Sequence, residues 1–187
     1  MWWREHRGRL RAIRLALALG AASLVAGCFQ PLYSSNPSVG GDSIKDKLAE
    51  VQIAPIPTRK GTRQARLAVG MHNALQFDLN GAAGSNAPTH RLEVTVSAKE
   101  FTVIVEASSG RPTAQVSTVS AHYRLVEIAT GKVVLQDTTY ANVDYDTSGP
   151  EQRFAVQRAQ RDAEDRAVQT AAETIRNRLA SYFVAGT

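Results

Sequence analysis

The chain has 187 residues, with 22 Lys and Arg against 17 Asp and Glu for a formal charge of +5. Residues 1–27 hold five arginines and one glutamate, +4 of that total, so the rest is nearly neutral and a general polyanion binder such as a nucleic-acid protein is excluded. A single cysteine excludes an intramolecular disulfide, and the roughly 160 residues after position 27 suffice for one packed domain but not for two.

In chain order, Arg4, Arg7, Arg9, Arg11 and Arg14 precede a short apolar run, Leu15 to Ala26. A bilayer-spanning helix needs about 20 apolar residues, so residues 1–27 are expected to be a cleaved signal peptide. The run closes on Val25-Ala26-Gly27-Cys28, which resembles a bacterial lipobox. Its thiolate is the nucleophile that takes a diacylglyceryl group. The expected modification is S-diacylglyceryl and N-acyl lipid on Cys28, which anchors the domain to a membrane because more than one chain is present. Residues 28–43 contain Pro31, Pro37, Gly40 and Gly41 without sustained periodicity and read as a lipidated tether. The domain is expected over 44–187.

Val51 and Ile53 alternate with Gln52 and Ala54 in a short first strand, stopped by Pro55 and Pro57. Between 62 and 79, Leu67, Met71, Ala74, Leu75 and Asp78 recur at helical spacing, and Asn80-Gly81 predicts a left-handed stop. A second strand over 91–106 places Leu92, Val94, Val96 and Ala98 on one face, after which the apolar phase moves to Phe101, Val103 and Val105. That change of phase predicts a β-bulge near Lys99-Glu100. After a loop from Ser108 to Pro112, Val119, Ala121, Tyr123 and Leu125 define a third strand. Thr130-Gly131 turns the chain into a fourth, from Val133 to about Tyr145. Ser148-Gly149-Pro150-Glu151 signals the start of a long helix reaching about Phe183, with alanines every four residues from Ala155 to Ala171. Such a stripe lets a helix approach a sheet closely. At 1.5 Å per residue the helix reaches about 45 Å, longer than an ordinary strand, so it is expected to overhang its sheet or to bend.

The predicted order, β-α-β-β-β-α, gives an α/β two-layer sandwich: two helices on one face of a four-stranded mixed, mostly antiparallel sheet. Thr95, Ser97, Thr118, Ser120 and His122 then look away from the helices, toward water or an aqueous cavity.

Chemistry is sparse along the chain. His72, His90 and His122 are scattered and lack metal-ligand spacing, and no nucleophile elbow or phosphate-cradling loop is present. Asp144 and Asp146 flank Tyr145, a pairing that more often solvates a loop than performs catalysis. No cofactor or metal is expected, and no catalytic residue is assigned. Arg111, between Gly110 and Pro112 at a strand connection, suits bidentate pairing with phosphate; Arg91 and Lys99 follow it, with Lys132 weaker.

Three segments taken together carry a wider likeness: Gly27-Cys-Phe-Gln-Pro-Leu-Tyr33, Tyr123-Arg-Leu-Val-Glu-Ile-Ala-Thr-Gly-Lys-Val-Val134, and Tyr145 followed by Arg153-Phe-Ala-Val-Gln-Arg-Ala159 and Arg161-Asp-Ala-Glu-Asp-Arg-Ala167. They resemble the LPS-assembly lipoprotein family, LptE. The resemblance implies a non-enzymatic outer-membrane lipoprotein, facing the periplasm and the lumen of a β-barrel partner, LptD. It implies that the pair inserts lipopolysaccharide into the outer leaflet, with the lipoprotein as plug and folding aid, and that the lipoprotein itself contacts lipopolysaccharide. Arg111, Arg91 and Lys99 are the candidate contacts, and Cys28 the lipidation site. Phe29 is not the aspartate that retains lipoproteins at the inner membrane. Two other classes stay open on the residues alone: a lipid-anchored, periplasm-facing module that binds a small ligand or peptide, and a lipid-anchored enzyme.

Overall fold

A computed structural model describes residues 43–81, 87–147 and 153–186. The signal peptide, Cys28, the tether and the helix-start signature at 148–151 lie outside them. Residues 44–187 form one compact unit.

The elements are helix α1 (Ile44–Ala49), strand β1 (Val51–Ile53), helix α2 (Arg63–Asn80), strands β2 (His90–Val105), β3 (Pro112–Glu127) and β4 (Val133–Asp146), and helix α3 (Arg153–Ala185). The sheet order is β1-β2-β3-β4, with β1 parallel to β2 and the other pairs antiparallel. This is the expected four-stranded mixed sheet with its helices on one side. The sequence reading missed α1, six residues that bury a single side chain, Leu48.

Each element follows from its local chemistry. Thr62 caps α2, its hydroxyl accepting from the Ala65 N–H at 3.2 Å. Leu67, Met71, Leu75 and Leu79 give the helix a buried stripe. Gly81 ends it at φ 60° and ψ −150°. The stop is therefore glycine's own extended region with positive φ, not the left-handed helical region the sequence suggested.

In β2, Leu92, Val94 and Val96 face the helices together with Val119, Ala121, Tyr123 and Leu125 of β3. The predicted bulge near Lys99-Glu100 is absent: pairing runs unbroken through Lys99↔Thr118 and Glu100↔Ser117, and the irregularity lies between Thr102 and Val105. The apolar phase does move, but for another reason. Beyond Ala98 the inner face turns polar at Glu100 and Ser117, while Phe101, Val103, Ile104 and Val105 are left exposed.

The core joins this sheet face to α2 and to Ala167, Val168, Ala171, Ala172, Ile175 and Leu179 of α3. The expected overhang does not arise from short strands. β2 and β3 have 16 residues each and reach about 50 Å, as does the 33-residue helix. Instead, none of residues 153–162 of α3 is fully buried, only Val156, Ala159 and Gln160 being half-buried, and tight packing begins at Ala163.

At the other end His90 meets the edge of Phe183, ring centroids 5.3 Å apart. Burial lowers the His90 pKa below its ordinary 6.5, outweighing the raising effects of Glu127 and Glu50. Well above that value the ring is neutral whether the chain is folded or not. As pH falls below it the unfolded chain takes up the proton first, so stability declines. Urea melts between about pH 7 and 5 are expected to show this acid limb, and His90→Gln to flatten it.

A leucine in the helix–sheet seam tests the packing. Ala171→Leu is expected to destabilise by about 1–3 kcal/mol in urea unfolding, because Ala171 is fully buried, whereas Ala155→Leu on the loose first turns stays near zero.

Candidate functional site

Three surfaces carry chemistry, and the alternation of the strands sets all three. The first is the sheet face away from the helices. Thr118 donates to Asn142 Oδ1 at 2.7 Å, and His122 Nδ1 and Thr138 Oγ1 lie 2.7 Å apart. Glu93 takes Arg124 Nε at 2.6 Å and lies 3.4 Å from Arg91 Nε. Thr95 and Ser97 continue this polar ladder on β2, as the sequence predicted. Together with Pro55 and Pro57 the face forms a cavity of about 470 Å³, lined by Thr95, His122, Gln136 and Thr138.

The second surface is the far end of the β2–β3 hairpin, where Arg111 follows Gly110, a turn residue at φ 66°. Its carbonyl closes the turn by accepting from the Glu106 N–H at 2.9 Å, and its side chain is exposed. Lys99 sits on the outer face of the same hairpin, and Arg91 eight residues earlier on β2, about 26 Å away. The three candidate cations therefore form a line along one strand and its turn, with no common focus. Lys132 is exposed at the opposite hairpin. Asp144 and Asp146 are exposed on one face of β4, and buried Tyr145 between them points the other way, donating to Gln115 Oε1 at 2.7 Å. His72, His90 and His122 fall on α2, the start of β2 and the middle of β3. Among the described residues no group of His, Cys, Asp and Glu is arranged to hold a metal ion.

The third is an ionic cluster that sequence reasoning missed. Glu164 of α3 is 1 % exposed and pairs with both Arg63 and Arg66 from the first turn of α2. Arg63 also reaches Glu100 of β2 at 2.5 Å, Arg66 reaches Asp165, and Gln160 donates to Glu100. Arginines at a helix N-terminus oppose its dipole, so these carboxylates offset an unfavourable field as well as closing ion pairs. Along α3, Asp162–Arg166 forms an i,i+4 pair at 2.9 Å, while Asp165 is claimed by Arg66. A signal was present: Glu164 shares a helical face with Ala167, Val168 and Ala171, where a carboxylate is out of place without a partner.

Burial around the cluster is uneven, with Glu164 enclosed and the two arginines partly exposed. Ser117, opposite Glu100, is fully buried, and its hydroxyl has no partner among the described residues. Burial pushes the Tyr145 phenol pKa up, with Glu100 adding to the rise and Arg63 opposing it. Tyr123, also under the helices, is pushed up to about 12 by burial first and Asp137 second, so it stays a neutral phenol.

The profile of the LptE family, described as lipopolysaccharide-assembly, matches residues 48–179, from α1 through almost all of α3. The chain belongs to the LptE family. Solved structures agree on the fold. A candidate lipoprotein from Caulobacter crescentus CB15 is similar at 19% identity and TM-score 0.58, over 76% of this chain and 96% of that one. Rare lipoprotein B from Shewanella oneidensis is similar at 16% identity and TM-score 0.52, over 72% of this chain and 96% of that one. Lipoprotein B from Nitrosomonas europaea is similar at 13% identity and TM-score 0.54, over 73% and 84%. No curated protein matches the chain.

Membership places the chain in a non-catalytic lipopolysaccharide-assembly family. No helix among the described residues is long and apolar enough to cross a membrane.

The ionic cluster has a measurable role in holding α2 and α3 together. Glu164→Gln is expected to cost about 3 kcal/mol in urea unfolding, the low end for a broken buried pair, because Arg63 and Arg66 keep Glu100 and Asp165 and reach solvent.

Proposed function

We propose that this protein is an outer-membrane lipoprotein, lipidated on Cys28, that plugs an LptD-type β-barrel, supports its assembly and helps it insert lipopolysaccharide into the outer leaflet. The observation that carries the reading is the LptE-family match across 48–179. Supporting it, the outer sheet face is a ladder of Thr, Ser, His, Asn and Gln. Outer-membrane barrels have polar, water-accessible interiors, and the polar stretch of this face from Glu93 to Lys99 suits one, the apolar Phe101 and Ile104 lying beyond it. No catalysis and no cofactor enter the reading. Nor does a nucleic-acid partner.

Arg111, Lys99 and Arg91 are proposed to meet lipopolysaccharide phosphates. Arg111 and Lys99 stand free of ion pairs among the described residues, and Arg91 shares Glu93 with Arg124. Spaced along one strand and its turn, they suit successive contacts along an elongated amphiphile better than one enclosed site.

A second reading, a lipid-anchored module for a small ligand or peptide, draws on the cavity of about 470 Å³ on the outer face. One experiment separates the two. The tagged lipoprotein, extracted from outer membranes in mild detergent, is expected to bring down a β-barrel in stoichiometric amount. Cys28→Ser is expected to remove palmitate labelling and membrane fractionation. Recovery of the lipoprotein alone favours the binding module and overturns the plug.

A further inference from the structure

The β1 strand covers only His90 to Leu92 of the 16-residue β2. On that side, Ala54 donates its N–H to the Leu92 carbonyl at 2.9 Å, and the Gln64 side chain donates to the Val96 carbonyl at 2.7 Å. Both carbonyls point to the same edge, and a strand alternates with a period of two. Ala98, Glu100 and Thr102 therefore turn their N–H and C=O groups to that edge as well. Beyond Gln64 no strand or side chain among the described residues pairs with them.

This open stretch is also apolar. Phe101 is 53% exposed, Val103 60%, Ile104 55% and Val105 52%. Natural edges are usually protected by charge, proline or a bulge. Here the protection is one lysine before the run and an irregularity within it, between Thr102 and Val105.

A lipid surface does not suit such an edge, because hydrocarbon leaves peptide groups without partners. A strand suits it, and the ends of the run specify which strand. Lys99 lies just before the apolar residues and Glu106 just after them. An antiparallel strand of the same sequence brings Lys99 of each copy to the Glu106 end of the other, a favourable cross-strand pairing. Phe101 lies opposite Val116 and Ile104 opposite Ala114 within the protein, so both occupy the outer face and meet their counterparts there. The two β1 strands point away from the contact, at opposite ends of the joined sheet.

We propose that the free protein forms an isologous dimer, two copies pairing antiparallel through the β2 edge from Ala98 to Val105. The dimer shields an edge that otherwise invites aggregation, and it must open before the hairpin meets any other partner. It goes beyond the plug reading and stands or falls without a barrel present.

The test uses residues 28–187 with Cys28→Ser, so that no lipid or micelle drives association. Sedimentation velocity from low micromolar upward is expected to show a monomer–dimer equilibrium. Val103→Lys is expected to weaken it at least about tenfold, with an unchanged thermal midpoint, since Val103 projects into solvent in the monomer. Phe77→Lys, on the exposed side of α2, is expected to leave it unchanged. A short bismaleimide is expected to join two copies of a Thr102→Cys variant. A monomer at every concentration overturns the proposal, as does a dimer that ignores Val103→Lys and gives no Thr102→Cys cross-link. A monomer that instead protects its β2 edge with an added extended peptide also overturns it, in favour of a foreign strand.

Discussion

The close approach of α3 to the sheet is the constraint from which most of the molecule follows. Ala163, Ala167 and Ala171 are fully buried in that seam, and they contribute proximity more than apolar area. The area comes from what proximity brings together: Leu92, Val96, Val119 and Leu125 below, and Leu67, Met71 and Leu75 alongside. With Leu92, Val94, Val96, Val119 and Leu125 committed to one sheet face, the other face beside them is free to carry a Ser/Thr ladder, and the exposed Phe101 and Ile104 lie on it farther along. The same seam has a limit. Above Ala163 the helix loses its tight packing, and polar groups hold the two layers together in place of apolar ones.

That change of chemistry explains what the sequence could and could not disclose. The four strands, the two long helices and the inward residues of β2 and β3 follow from local periodicity, because apolar packing repeats every two or every 3.6 residues. The phase change at Phe101 was visible too, but its cause was not. A bulge is the economical explanation when a strand is assumed to keep one face buried throughout. Here the buried face ends instead, pairing runs on through Glu100, and the irregularity comes only between Thr102 and Val105. α1 was invisible for a related reason, since one buried leucine makes no period.

The ionic cluster shows the other limit. Arg63 and Arg66 meet Glu164 and Asp165 across nearly a hundred residues, and charge carries no periodicity that links such distant positions. The single readable clue was an acid on the alanine face of α3. The candidate lipopolysaccharide contacts illustrate the same gap from the other side: residue type picked out Arg91, Lys99 and Arg111, while their arrangement in a line along a hairpin needed the fold. The family itself was legible because its likeness rests on segments spread over the chain, not on one compact site.

The order of elements has a consequence for how the domain comes into being. β2, β3 and β4 form a meander joined by short turns, so their contacts are local and quick to form. The helix that completes the core follows all of them in the chain. A polypeptide emerging amino end first, from a ribosome or a translocation pore, thus displays a wet, uncovered row of valines and leucines until α3 arrives. During that interval the nascent sheet is the species a chaperone would meet, and the speed of helix docking sets how long it is at risk.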